Sequence, residues 1–223
     1  MFAGHIGVAL AIARLERRVN VGAFVAAALL LDLALWLFIL VGWESVVIPA
    51  DFARTHQPEF VFPFSHGLVA SLVWSALASA AAWFALDRPG PPRGRAALAI
   101  AAAVFSHWLL DALVHRAEMP LLGASSGKVG FALWDTLPVA LGVEALLVVV
   151  GLALFIPGCG LARGRAIALA TLSLVVLAFT VAGMTLAPPP PSALAMAGSS
   201  LVTLIAVCAL FAWLGKRRVE GTR

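Results

Sequence analysis

Apolar positions along the chain fall into six long runs, which short polar or proline-rich connections separate. Each run has about 20 or more residues, the length that an α-helix needs to cross a hydrocarbon core of about 30 Å. Backbone groups in lipid must be hydrogen-bonded within the chain, so the runs are predicted as helices and not as open strands. The predicted spans are residues 19–43, 62–86, 96–115, 130–156, 166–187 and 193–214. The pattern therefore predicts an all-α, polytopic membrane bundle with six transmembrane helices.

A seventh apolar stretch, residues 1–13, is too short to cross a membrane. Its positive charges begin at Arg14 and follow the apolar residues, the reverse of the order in a secretory signal peptide, so we expect no cleavage. Two placements are compatible with the sequence. The stretch lies on the cytoplasmic face as a surface helix, or it re-enters the membrane and brings His5 toward the middle of the bundle.

Composition supports a membrane protein. The chain is 62% hydrophobic and 12% charged, with a mean hydropathy of +1.03, whereas about a quarter of the residues in a soluble domain are charged. Two cysteines, Cys159 and Cys208, are too few for a disulfide framework or a thiolate zinc cluster. We therefore expect a single membrane domain over residues 1–223.

The basic residues predict the orientation in the membrane. Twelve of the 15 lie on alternate connections, and the opposite connections carry Arg54, Arg116 and Lys128. The twelve are Arg14, Arg17, Arg18, Arg88, Arg93, Arg95, Arg163, Arg165, Lys216, Arg217, Arg218 and Arg223. By the positive-inside rule both termini are predicted to be cytoplasmic. Because these charges are spread over four places, they argue against a nucleic-acid partner and leave the lipid bilayer as the expected one.

Ionisable residues within the spans are unevenly distributed. An ionisable group in lipid is costly, so by default it marks a functional site or a buried pair. Spans five and six contain no Asp, Glu, His, Lys or Arg. Spans one to four contain Asp32, His66, His107, Asp111, His115, Asp135 and Glu144. Residues 1–156 are therefore predicted to carry the site, and residues 157–223 are predicted to be scaffold.

The sharpest group of polar residues is the sequence SHWLLDALVH, residues 106–115. His107, Asp111 and His115 recur every four residues, so they lie on one face of a helix, about 6 Å apart along its axis. A carboxylate and an imidazole at that spacing can bind one ion such as Zn²⁺. His107 and His115, however, are about 12 Å apart along the axis, too far to bind the same ion without distortion. His115 is then either a neighbour of the ligands or part of a second metal site. The alternative is a hydrogen-bonded polar stripe that closes a helix interface.

Two further residues are expected to join this group. Asp32 lies near the middle of span one without a charged neighbour, and His66 opens span two. Measured by helical rise, Asp32 and the His107–Asp111 pair lie at similar depths of about 20 Å from the cytoplasmic ends. Glu144 of span four falls in the same depth range. Glu44 follows span one at the outer interface, where it is either a solvated charge at the helix end or part of the site. Glu118 flanks the next outer loop, where charges are ordinary.

These residues resemble a known family. The sequence AGH at the amino terminus, the aspartate in a leucine-rich first span, the Ser-His pair and SHWLLDALVHR are similar to bacterial membrane-bound metal-dependent hydrolase-like proteins. That group includes inner-membrane proteins of the YdjM type and a branch labelled permease. The resemblance implies a divalent metal, with zinc as the first choice, bound by His5, Asp32, His66, His107 and Asp111. The chain departs from the family pattern in having one aspartate where members carry Pro-Asp-x-Asp.

Three functions are compatible with this site. The first is a hydrolase in which the metal activates water, Glu144 or His115 moves the proton, and the substrate is a lipid head group or a phosphoester. The second is a permease for a metal ion or small solute that uses the same residues as a midplane site. The third is a structural subunit with a buried polar network and no metal.

Overall fold

The computed structural model describes residues 1–85 and 92–216. Four of the arginines that predict cytoplasmic ends, Arg88, Arg217, Arg218 and Arg223, lie outside these residues. The described chain is mostly helical, and its helices are α1 Ala3–Ala13, α2 Val21–Ala28, α3 Leu30–Leu40, α4 Phe52–Thr55, α5 Leu68–Ala85, α6 Pro92–Val114, α7 Leu137–Phe155, α8 Arg163–Thr185 and α9 Ala193–Leu214. A short 3₁₀ helix, Leu133–Thr136, precedes α7.

Five helices of the described chain, α5 to α9, are each long and apolar enough to cross a membrane. A sixth span is reached only if α2 and α3, which meet at a bend of 50°, are counted as one broken span. The sequence predicted one continuous helix over residues 19–43, and the structure breaks it at Leu29. The break lies where a side chain of α6 hydrogen-bonds the carbonyl of Ala28, a recognised cause of sharp helix kinks.

The second predicted span also begins later than the sequence indicated. Its helix, α5, starts at Leu68, and His66 lies in the turn before it, where its backbone N–H donates to the carbonyl of Phe62. Gly67 fits this turn because a Cβ at that position would lie only 2.6 Å from the carbonyl oxygen of Pro63. His66 is therefore placed by a tight turn and not by a helical face.

Two small antiparallel hairpins connect the helices at one end of the bundle. Strand β1, Ser45–Val47, pairs with β2, Glu59–Val61, with Val46 opposite Phe60. Strand β3, Met119–Pro120, pairs with β4, Lys128–Val129. The first hairpin connects α3 to α5, and the second connects α6 to α7, so both lie beside the ends of the helices that carry the polar residues.

Helix α1 lies inside the bundle. It packs against α7, α2, α6 and α8, and His5 is fully buried. Its closest approach is to α7, where a Cβ on Gly7 would lie 2.4 Å from the backbone of Leu147 and one on Gly151 would lie 2.1 Å from the Gly7 carbonyl oxygen. Small residues let helix backbones approach in this way. The burial favours the placement in which His5 reaches the middle of the bundle.

Candidate metal centre

Four of the predicted ligands converge in one place. Asp32, His66, His107 and Asp111 each offer one ligand atom, and the four atoms lie within 4.8 Å of one another. The two histidines and Asp111 are buried, whereas the side chain of Asp32 is 21% exposed. They come from α3, from the turn before α5 and from α6, so tertiary packing assembles the group from three separate segments.

The spacing of these atoms suits a small metal ion. The two Nε2 atoms of His66 and His107 are 3.1 Å apart, and Oδ2 of Asp111 lies 3.4 and 3.2 Å from them. Oδ1 of Asp32 lies 3.7 Å from each Nε2. Ligands of a tetrahedral zinc ion, with bonds of 2.0–2.1 Å, are separated by about 3.3 Å. Five of the six separations lie between 3.1 and 3.7 Å, and all six lie within 4.8 Å. This spacing suits a tetrahedral divalent cation with small shifts of the side chains.

His107 is oriented by the break in the first span. Its Nδ1 lies 2.6 Å from the carbonyl oxygen of Ala28, the last residue of α2. Carbonyl groups at the end of a helix lack an intrahelical partner, and a carbonyl can only accept a hydrogen bond. Nδ1 of His107 therefore carries the hydrogen, and the lone pair of its Nε2 points toward Asp111.

His66 is oriented by a relay through two other residues. The Ser65 hydroxyl donates to Oε2 of Glu44 at 2.7 Å, and its oxygen lies 2.8 Å from Nδ1 of His66. Oε1 of the same carboxylate accepts the backbone N–H groups of Phe64 and Ser65, both at 2.8 Å. Because the hydroxyl hydrogen is used toward Glu44, Nδ1 of His66 must donate to Ser65. The lone pair of its Nε2 then also faces the group, as in the carboxylate-supported histidines of metal sites.

Glu44 is a buried carboxylate without a cationic partner among the described residues. Burial raises the pKa of Glu44 above its usual value, and the hydrogen bonds that it accepts from Ser65 and Phe64 oppose that increase. Their number and short lengths show that the side chain acts as an acceptor here. Glu44 thus holds the turn that carries His66.

Two nitrogen lone pairs that face each other at 3.1 Å repel unless a cation lies between them. The Met1 ammonium already offsets the charge of Asp111, at 2.8 Å. A shared proton or a divalent cation would relieve the repulsion between the two nitrogens, and the presence of two carboxylate oxygens at ligand spacing favours the cation. Asp32 has additional support from its place in the first turn of α3, because the amino-terminal end of a helix favours negative charge.

The fifth predicted ligand, His5, lies beside the four-atom group. Its ring stacks on that of His107, with centroids 3.8 Å apart, and its Nε2 is 3.1 Å from Oδ1 of Asp111. The contact lacks hydrogen-bond geometry, and neither ring nitrogen of His5 has a hydrogen-bond partner among the described residues. The amino-terminal ammonium of Met1 donates to the same oxygen at 2.8 Å and forms a buried ion pair with it. His5 therefore contacts the candidate ligand Asp111 and lies beside the four-atom group.

The two residues predicted to move protons have different surroundings. His115 places Nε2 3.7 Å from Oδ2 of Asp111 and donates from Nδ1 to Glu118 at 2.5 Å. Glu144 is buried, and its Oε2 accepts the backbone N–H of Gly4 in the first turn of α1 at 3.0 Å. Both side chains line the cavity described below. Glu144 therefore also stabilises the amino-terminal end of α1.

A cavity of about 420 Å³ leads to the group. Asp32, His66 and Asp111 line one end of it, together with His115 and Glu144. The rest of its wall is mostly apolar and includes many residues of α8 and α9. Its volume lies in the range of small-molecule pockets. The group is thus accessible to a ligand through this cavity, and Asp32 is the metal-site residue with the greatest exposure to it.

Three features of the site were left open or not predicted from the sequence. A site role for Glu44 was one of two alternatives, and Glu118 was expected to be an ordinary loop charge, but the two carboxylates orient His66 and His115 through hydrogen bonds. The Ala28 carbonyl became available only through the helix break. The last two helices, predicted as scaffold because they lack ionisable residues, form a large part of the cavity wall. No local sequence signal marks any of these contacts.

The sequence matches no protein-family model, no curated protein and no solved structure at a significant level. The resemblance to membrane-bound metal-dependent hydrolase-like proteins therefore stays a prediction. Function is argued below from the arrangement of the side chains alone, since the site is an assembly of chemical groups whatever its ancestry.

Proposed function

We propose that the protein is an integral-membrane, metal-dependent hydrolase that acts on a lipid head group or a phosphoester. The observation that carries this proposal is the convergence of two oriented imidazole lone pairs and two carboxylates at the end of a cavity. A structural polar network needs no such arrangement, since its lone pairs would be matched by donors. Imidazole and carboxylate ligands at tetrahedral spacing favour zinc.

In this proposal four residues bind the metal ion, and two other residues transfer protons. Asp32, His66, His107 and Asp111 would hold the cation, and water from the cavity would bind beside them as a fifth ligand. Bound there, a zinc ion would lower the pKa of that water to about 7 and polarise an ester oxygen. His115 is placed to accept a proton from water at Nε2, and Glu118 fixes the ring by accepting its Nδ1–H. Glu144 offers a second carboxylate on the cavity wall.

The membrane setting follows from the same proposal. Five apolar helices, and a sixth span if the bent α2–α3 pair counts as one, support a site within a bilayer. We propose that both termini are cytoplasmic, on the basis of the basic residues at alternate connections. The bacterial inner membrane is proposed from the resemblance to bacterial inner-membrane proteins. The hairpins and the cavity mouth would then lie toward the periplasmic half, within reach of lipid head groups.

The proposal is tested with purified protein in mixed micelles containing phosphatidylglycerol and a monoacylglycerol. We expect hydrolysis of one of these lipids that stops on chelation and returns with added Zn²⁺. Asp111→Asn should be inactive under the same conditions, because it keeps the size of the side chain and removes a ligand charge. A preparation that binds metal stoichiometrically and hydrolyses neither lipid would contradict the hydrolase proposal.

One observation favours a permease as the second candidate. The metal site lies at the break between α2 and α3, and discontinuous helices at midplane ion sites are typical of secondary transporters. A permease must open the site to both sides of the membrane in turn. Uptake of radioactive ⁶⁵Zn²⁺ into proteoliposomes tests this, and metal movement across the vesicle membrane would favour the permease over the hydrolase.

A further inference from the structure

The cavity extends from the metal centre to a chamber that α8 and α9 form. The chamber wall from these helices and their connection consists of Phe179, Thr180, Gly183, Met184, Ala187, Pro188, Pro190, Met196, Ser199, Ser200, Thr203 and Leu204. None of these side chains is ionisable. A hydrogen-bonding head group has little to recognise there, so the chamber suits hydrocarbon.

The hydroxyl groups in this wall are mostly used within their own helices. Thr180 donates to the carbonyl of Val176 at 2.9 Å, and Thr203 donates to that of Ser199 at 2.8 Å. Ser199 itself donates to the carbonyl of Ala195 at 2.9 Å. Hydroxyl groups that donate to the helix backbone present their methyl and methylene surface with little polarity to a ligand. The wall therefore behaves as an apolar surface.

The chamber lies between α3 and the pair α8 and α9, since Leu35 and Trp36 of α3 also line the cavity. Helix α3 packs against α9, while α8 packs against α7, α1 and α9. Phe179 of α8 lines the chamber and is also 57% exposed. In a membrane, exposed side chains on a spanning helix face lipid. The chamber therefore reaches the lipid-facing surface near Phe179, which gives a hydrocarbon chain a lateral way in.

The charged groups at the metal end of the cavity restrict the charge that a bound head group can carry. Three carboxylates line the cavity, those of Asp32, Asp111 and Glu144, and the described lining residues include no lysine or arginine. A divalent cation and the Met1 ammonium, which is ion-paired with Asp111 at 2.8 Å, together balance these three carboxylates. A phosphate group would add negative charge with no lysine or arginine side chain of the described wall to bind it, and phosphate sites usually supply one. An uncharged ester adds no charge.

We infer that the chamber binds the hydrocarbon tail of a lipid whose uncharged carboxylic ester lies at the metal centre. This inference rests on the proposed hydrolase and narrows its substrate class from lipid head groups and phosphoesters to neutral acyl esters. In the reaction, the water oxygen bonds to the ester carbonyl carbon and the bond from that carbon to the alkoxy oxygen breaks. The proton taken from water by His115 passes to the alkoxy oxygen, and the products are a carboxylic acid and an alcohol.

Two glycines offer a matched test of the chamber. Gly183 lies in α8 and lines the chamber, and Gly198 lies in α9 and does not. A Cβ at either position would meet no atom within 4 Å. Gly183→Leu should therefore fill part of the chamber without disturbing the backbone, while Gly198→Leu adds the same side chain elsewhere. Both changes replace a helical glycine by a better helix former, so neither is expected to unfold its helix.

The experiment uses a monoacylglycerol that carries a photoreactive diazirine in its acyl chain, added to the full chain in nanodiscs. After irradiation, mass spectrometry locates the adducts. We expect adducts on chamber residues of α8 and α9, reduced about tenfold or more in Gly183→Leu, because an inserted side chain excludes the tail, and little changed in Gly198→Leu. Labelling that Gly183→Leu leaves unchanged, or that falls equally in both variants, would overturn the chamber assignment.

A second probe tests the head group. Lysophosphatidic acid with the same photoreactive chain should label the chamber about tenfold less than the monoacylglycerol, because its phosphate meets the carboxylates at low dielectric. Equal or stronger labelling by this probe would overturn the preference for a neutral ester. Metal content is measured on the same samples. Absence of metal would defeat the proposed hydrolase, whereas absence of chamber labelling with metal bound would defeat only the present inference.

Discussion

Glu44→Gln is the substitution that tests how the metal site is held. Glutamine has nearly the same shape as glutamate, and its Oε1 can still accept the backbone N–H groups of Phe64 and Ser65. Its NH₂ group, however, would face the Ser65 hydroxyl where the wild-type chain has an acceptor. The hydroxyl would then donate to Nδ1 of His66 instead of accepting from it. Nε2 of His66 would carry a hydrogen, and its lone pair would no longer face the metal site.

The size of the effect follows from the role of such partners in other metal sites. Loss of a hydrogen-bonded partner of a ligand reduces metal affinity by about 10- to 100-fold, which is about 1.4–2.7 kcal/mol. We expect a loss in this range for Glu44→Gln. Ser65→Ala should produce a loss of similar size, since it removes the middle of the same relay. The double variant should lose little more than the larger single loss, because both changes break one chain of hydrogen bonds.

The assay is competition for Zn²⁺ with a chromophoric chelator, using purified protein in mild detergent. Glu59→Gln is the matched control, since Glu59 is an exposed glutamate of the neighbouring strand β2 and its variant should bind as the wild type does. Thermal unfolding of each variant checks that the fold is retained. A folded Glu44→Gln protein whose zinc affinity lies within about twofold of wild type would refute the relay, as would full additivity in the double variant.

Asp111→Ala should abolish metal binding, because it removes one of the four proposed ligands, and His115→Ala should weaken binding by about 10- to 100-fold. Metal stoichiometry and titration measure both effects, and full metal retention without Asp111 would contradict the site. Gly7→Ala should destabilise the protein by about 1–3 kcal/mol, because its Cβ would lie 2.4 Å from the backbone of α7. Thermal unfolding in detergent measures this against Gly142→Ala, whose Cβ meets nothing within 4 Å. A reporter fused within the 116–129 loop should be periplasmic, and cytoplasmic activity would contradict the orientation.

The sequence predicted the arrangement of candidate ligands best where both residues lie on one helix. His107 and Asp111 are four residues apart, so any helix through them places both on one face, and the structure brings their ligand atoms to 3.2 Å. Asp32 and His66 were predicted to join them from the cost of ionisable groups in lipid. That reasoning identifies which ionisable residues need a partner to offset the cost of burial in lipid, but it does not predict how their side chains are oriented.

The parts that were missed depend on tertiary contacts. The break at Leu29 has no proline or glycine to mark it, and its visible support is a hydrogen bond from His107, 79 residues away. Glu44 acts on His66 through Ser65, 21 residues along the chain. An apolar side chain of α8 or α9 is equally compatible with facing lipid and with lining a chamber, so the sequence does not distinguish the two. Hydrophobicity predicts that a helix lies in the membrane, but not what its inner face encloses.

Metal content per chain tests the central claim most directly. The wild-type protein, purified in mild detergent and analysed by inductively coupled plasma mass spectrometry, should carry about one divalent ion per chain, as one four-ligand tetrahedral site predicts. X-ray absorption at the metal edge should show nitrogen and oxygen ligands at about 2.0 Å and no sulfur. Asp111→Asn, prepared in parallel, should be depleted of the ion. Folded wild-type protein without stoichiometric metal, even after incubation with Zn²⁺, would contradict the claim and leave a buried polar network in its place.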